Sequence, residues 1–191
     1  MIKDRLINNS DMKKIFLCAG HNGPGTGSVK LLDEGREAIR LRNAISKKLN
    51  IPYILDVDCN RLDDSFVNEI NRQTDSESIC IDIHFNSSVD PKVRGVEVFR
   101  AELCSARTVK LANSLLIAVA NALEIPRQYV RGVKSERLSR WKSLAMCSKI
   151  KCPSVVLEVC YISNQEDVSL YNKNFDILVQ ELAEVINHFW E

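Results

Sequence analysis

Short apolar runs rich in β-branched residues recur along this chain, and stretches with helical spacing stand between them. That alternation constrains the fold more than any other feature. Runs at Ile15–Cys18, Tyr53–Val57, Ile79–Phe85, Gly95–Arg100 and Ser154–Cys160, with a weaker one near Ser143–Cys147, have the length and composition of strands. Ala38, Leu41, Ile45 and Leu49 fall on one helical face, behind an Asp33 placed to cap the first turn. Phe66 and Ile70 mark a short helix, Val109 to Leu123 a long apolar one, and Phe175, Leu178, Leu182, Val185 and Phe189 a terminal one. Strand–helix alternation of this kind predicts an α/β fold: a mostly parallel or mixed sheet covered on both faces.

Length and charge narrow the setting. A chain of 191 residues with 45% hydrophobic content can bury one substantial core, and no Pro/Gly/Ser-rich linker divides it. One domain over 1–191 is expected, with a polar N-terminal extension over 1–13, no separate binding module and a monomeric state. A formal charge of +1 gives no global attraction to nucleic acid or to an anionic membrane. No apolar run is long enough for a transmembrane segment, and Met1-Ile2-Lys3-Asp4-Arg5 does not open a secretory signal, so synthesis and retention in a cytoplasm are expected. The seven cysteines fit a reducing compartment, because several lie in apolar runs and none forms a Cys-x-x-Cys pair.

Ligands of such sheets bind beyond the carboxyl ends of strands. His21 follows the run Ile15–Ala19 and opens a glycine-rich turn, His84 follows Ile79–Ile83, and Glu158 follows Val155-Val156-Leu157. Glu34 stands in the first turn of the helix begun by Asp33, within reach of the strand end that the Gly20–Ser28 loop leaves. Two imidazoles and two carboxylates suit a catalytic zinc, which takes three protein ligands and keeps a fourth position open. The spare carboxylate would then be a general base. A phosphate cradle is disfavoured, since neither Gly-x-x-x-x-Gly-Lys-Ser/Thr nor a dinucleotide glycine spacing is present. Cys18, three residues before His21, is set aside as a ligand on the expectation that strand alternation turns it to the other face.

The stretches Ala19-Gly20-His21 through Gly27-Ser28, Asp33-Glu34-Gly35, Ile83-His84-Phe85-Asn86-Ser87, Gly95 to Phe99 and Pro153 to Asn164 together resemble the zinc-dependent N-acetylmuramoyl-L-alanine amidases of the Amidase_3 type. The resemblance covers nearly the whole chain, in order. It implies a mixed sheet of about six strands, one Zn2+ held by His21, Glu34 and His84, and Glu158 as the catalytic glutamate. Its implied substrate is peptidoglycan, cut at the amide between the lactyl group of N-acetylmuramic acid and the first L-alanine. Zinc would acidify water and polarise the carbonyl, while Glu158 would move the proton. Asn86, two residues past His84 on the same side of a strand, would hold substrate or a group behind the ligands. Cys18-Ala19 and Cys160 depart from the family's usual Asp-Pro and Gly, which alters the pocket wall and leaves the ligand set intact.

By analogy the chain resembles a bacteriophage endolysin, kept in the host cytoplasm until it is released to the cell wall. A related zinc carboxypeptidase or endopeptidase is the alternative; a non-catalytic wall-binding relative would be expected to lack a ligand or the acid. His188 lacks a ligand context and reads as a surface or packing residue. The basic stretch of Arg127, Arg131, Lys134, Arg137, Arg140, Lys142, Lys149 and Lys151 could attract stem-peptide carboxylates or form a solvated face. Trp141 within it could stack on substrate or anchor packing.

Overall fold

The computed structural model describes residues 13–21, 23–56 and 64–191. The expected N-terminal extension lies outside them apart from Lys13, as do Asn22 and the Val57 end of one expected strand. A six-stranded sheet has the order β2-β1-β3-β6-β4-β5, with β1 Ile15–Ala19, β2 Tyr53–Leu55, β3 Ile79–Asn86, β4 Val96–Arg100, β5 Val130–Ser135 and β6 Ser154–Tyr161. The strands β2, β1, β3 and β6 run parallel, β4 runs antiparallel to β6, and β5 follows β4 in parallel. Mixed pairing, mostly parallel, with helices on both sides, is the architecture that the alternation of periods implied.

The two faces are covered unequally. Helices α1 (Glu34–Ser46), α3 (Ala106–Ala122) and α6 (Phe175–Asn187) pack on one face. There Leu17, Ile81, Ile83, Leu157 and Val159 meet Leu41, Ile45, Leu111, Leu115 and Leu182 in the main core. Burying each of these side chains contributes roughly 1.5–3 kcal/mol before entropy is charged. The other face carries Phe16, Cys18, Cys80, Phe99 and Val156, under the short helices α2 (Asp64–Gln73) and α4 (Ala145–Ser148). Period-two alternation therefore puts Asp82, His84 and Asn86 of β3 on the thinly covered face, opposite the core-facing Ile81, Ile83 and Phe85.

Three elements differ from expectation. Ser143–Cys147 contributes to α4 and not to a strand; the sixth strand is β5, inside the basic stretch. Its Val130 and Val133 are separated by Arg131 and Gly132, and as an edge strand it carries charge, so no clean alternation marks it. Helix α5 (Gln165–Lys173) was also not anticipated: Asn164 caps it by accepting from the Glu166 and Asp167 amides. No helix among the described residues is long and apolar enough to cross a membrane.

Candidate metal centre

The parallel strands β1, β3 and β6 end side by side, and their ends deliver the polar residues. The Gly20 amide extends the β1–β3 ladder by donating to the Ile83 carbonyl at 2.8 Å, which leaves His21 at the start of the loop beside His84. The loop then returns to α1, where Asp33 accepts from the Arg36 amide and, through its second oxygen, from Gly25 at 2.7 Å. Gly27 has φ +71°, and a Cβ there would sit 2.5 Å from His21 and 2.6 Å from Glu34. Only glycine meets both demands.

Glu34 is the hub. Its Oε2 accepts from the Ser28 amide at 2.8 Å, and its Oε1 accepts from the Phe85 amide at 3.2 Å. The same Oε1 lies 3.2 Å from His84 Nδ1 and 3.5 Å from His21 Nε2. The two imidazoles meet edge to face with centroids 5.0 Å apart. Among the described residues, His21, Glu34 and His84 form a group of potential metal ligands whose donor atoms all lie within 4.8 Å of one another. Cys18 is not part of it. Contrary to the expected alternation, Cys18 does share a face with His84, because it pairs with Asp82; it is kept from the group by sitting further back along the strand, with its thiol hydrogen-bonded to Cys80.

Glu158 lies beside His84 as its partner across β3 and β6. The register shifts just beyond, so that Asn86 pairs with Tyr161, a bulge of the kind that re-aims side chains next to active sites. Glu158 Oε2 is buried with no hydrogen-bond partner. Burial, reinforced by the nearby Glu34, Glu97 and Asp82 carboxylates, pushes its pKa up to about 7 against the pull of His84. Burial lowers His84's pKa, but the Asp82 and Glu34 carboxylates outweigh it and hold the ring well above the usual histidine range. Burial also resists ionisation of Glu34, yet its histidine partners bring the carboxyl below its ordinary value. Burial lowers His21. At His84 the surrounding carboxylates prevail and favour positive charge, whereas at His21 burial prevails over the pull of Glu34. Two imidazole nitrogens, a carboxylate and an adjacent orphaned carboxylate oxygen fit zinc, whereas calcium and magnesium prefer all-oxygen shells.

Glu97 was missed from sequence. It is buried on β4, pairs with Glu158 across β6, and accepts from Arg131 Nε at 3.0 Å, from Lys134 Nζ and from Asn86 Nδ2 at 2.7 Å. A lone acid inside Val96-Glu97-Val98-Phe99 was the available signal, since a buried carboxylate needs a partner. Both ends of the Asn86 amide are engaged, because its Oδ1 accepts from the Ser87 amide at 3.0 Å. Two members of the basic stretch, Arg131 and Lys134, thus serve the interior, while Trp141 is exposed with the Arg140 guanidinium 5.2 Å over its ring. His188 is remote from the site, at the end of α6, its Nδ1 3.2 Å from a Glu184 carboxylate oxygen.

Residues 15–188 match the Amidase_3 family model, described as N-acetylmuramoyl-L-alanine amidase. An uncharacterized protein of Clostridium perfringens is 24% identical over 180 residues, which are 91% of this chain and 51% of that protein, so the chain spans about half the length of this relative. Among solved structures, the amidase AmiC2 of Nostoc punctiforme superposes with a TM-score of 0.77 at 19% identity, covering 95% of this chain and 98% of that one. The catalytic domain of the amidase CwlV from Bacillus (Paenibacillus) polymyxa var. colistinus gives 0.75 at 20% identity, with 94% and 98% covered. The catalytic domain of CD27L, an endolysin targeting Clostridia difficile, gives 0.69 at 17% identity, with 92% and 97% covered.

Proposed function

The chain belongs to the Amidase_3 family of N-acetylmuramoyl-L-alanine amidases, and from that premise we propose that it uses zinc to hydrolyse the amide joining N-acetylmuramic acid to L-alanine in peptidoglycan. The observation that carries the reading is the convergence of His21 Nε2, Glu34 Oε1 and His84 Nδ1 beside a buried, unpartnered Glu158 oxygen. His21, Glu34 and His84 would hold the ion. Zinc supplies Lewis acidity there, acidifying water and polarising the amide carbonyl.

Glu158 Oε2 accepts the proton of the attacking water and returns it to the departing L-alanine nitrogen. Its lack of a hydrogen-bond partner leaves that oxygen available for the task. Glu97 would set a second carboxylate beside Glu158 in the row His84–Glu158–Glu97, but Arg131, Lys134 and Asn86 neutralise and fix it. Asn86 therefore acts in this scheme through Glu97, and contacts substrate only from an edge left free by those bonds.

Host lysis as a phage endolysin, with the enzyme held in the host cytoplasm until it meets the wall, is the setting proposed. The six described cysteines are unpaired, as suits a reducing compartment, and the fold is shared with an endolysin catalytic domain. Digestion of purified sacculi with zinc-loaded protein, followed by mass spectrometry of the products, tests the reaction. Free lactyl carboxylates on the glycan with new L-alanine amino termini are expected. New carboxyl termini within the peptides would replace the amidase reading by a peptidase.

A further inference from the structure

The His84 ring has two nitrogens, and each faces a carboxylate. Nδ1 lies 3.2 Å from Glu34 Oε1, on the side to which His21 Nε2 also turns. Nε2 lies 3.1 Å from Asp82 Oδ2. Asp82 stands two residues before His84 on β3, so the strand period directs both side chains to one face, and Asp82 is buried at 5% exposure. The Nε2 edge of the ring is closed further by Gly20, whose hydrogen occupies a position where a Cβ would be 2.1 Å from that nitrogen.

A neutral imidazole donates at one nitrogen and offers a lone pair at the other. With the proton on Nδ1, the Nε2 lone pair would point at the Asp82 carboxylate and no lone pair would face the cluster. With the proton on Nε2, Asp82 accepts it and the Nδ1 lone pair points to where His21 Nε2 and Glu34 Oε1 converge. A carboxylate that accepts from a ligating histidine also makes the ring a better donor to the ion. Resting on the zinc reading above, we propose that Asp82 is a positioning residue: it locks His84 as the Nε2-protonated tautomer and so makes Nδ1 the ligating atom.

The test measures zinc affinity by competition with a chromophoric chelator for the wild-type chain, Asp82→Ala and Asp82→Asn, alongside ¹H–¹⁵N spectra of the His84 ring in the zinc-loaded wild-type protein. Asp82→Ala should weaken zinc binding by ~10- to 100-fold. Asp82→Asn, which keeps an acceptor oxygen and loses the charge, should fall between. The wild-type ring should carry its proton on Nε2. A folded Asp82→Ala that binds zinc at the wild-type affinity, or a His84 ring protonated on Nδ1 in the zinc-loaded protein, overturns the assignment while leaving the zinc reading standing. Should the alanine variant not fold, the asparagine variant and the wild-type ring spectrum decide the matter by themselves. A wild-type chain that takes up no zinc overturns the metal reading and this assignment with it.

Discussion

Replacing Gly20 by alanine asks how much of the site depends on the absence of one methyl group. Gly20 is not in the left-handed region, so alanine suffers no backbone penalty and the experiment isolates the question of space. A Cβ there would lie 2.1 Å from His84 Nε2 and 2.3 Å from Cδ2 and Cε1, against ordinary contact beginning at 3.4 Å. The ring must retreat by about 1.3 Å, or β1 must move by as much. The ring cannot retreat freely, because Asp82 holds Nε2 and Glu34 faces Nδ1. Overpacking of this size costs about 1–3 kcal/mol of stability, displacing a ligand should weaken zinc ~10- to 100-fold, and a ~1 Å misplacement can lower turnover ~100-fold. Chelator competition, urea denaturation and turnover on a muramoyl-L-alanine substrate measure the three effects. Gly25→Ala is the control: its Cβ meets nothing within 4 Å and only its φ of +79° is strained, so zinc affinity should persist. A Gly20→Ala protein with wild-type zinc affinity and turnover would refute the placement of His84 against the loop.

Glu158→Gln should keep zinc and lose ~100- to 10,000-fold in turnover, whereas Glu34→Gln should lose zinc; the reverse pattern in metal analysis would exchange ligand and base. The same Glu158→Gln variant should stabilise the metal-stripped chain at pH 8. Burial raises the folded pKa of Glu158 to about 7, so the penalty for its charge is absent below about pH 4, grows as the unfolded carboxyl ionises, and is complete above about 7, on the order of 3 kcal/mol. Equal variant-minus-wild-type differences in urea melts at pH 4 and pH 8 would contradict that. Chelation should abolish activity and added zinc restore it, with His21→Ala reducing metal content; full turnover in metal-stripped protein would exclude the zinc mechanism. Iodoacetamide at pH 8 should modify half-buried Cys104 before the buried Cys152, whose thiol burial pushes up to about 12, and peptide mapping that finds Cys152 first would show that the α4 side of the sheet opens readily.

The local order of the chain carried the α/β class, the Asp33 cap and the strand ends that bear His21, His84 and Glu158, because these follow from periodicity and from residues a few positions apart. The edge strand β5 escaped notice, since its charges answer to Glu97 on the neighbouring strand and not to its own pattern. Cys18 shows a related limit: alternation fixes a side chain's face within a strand, but His21 lies past the strand end, where the loop decides its direction.

What the sequence determined by itself was most of the inventory: the strongly periodic elements, and which imidazoles and carboxylates stand at their ends. Only the tertiary structure decided their mutual roles. The parallel register of β3 with β6 sets His84 against Glu158, the antiparallel register of β4 sets Glu97 beyond it, and the placement of Gly20 and Asp82 around one ring decides which His84 nitrogen faces Glu34. These relations join residues tens of positions apart through backbone pairing and shape, and the spacing of residues along a chain carries no information about distances that only packing creates.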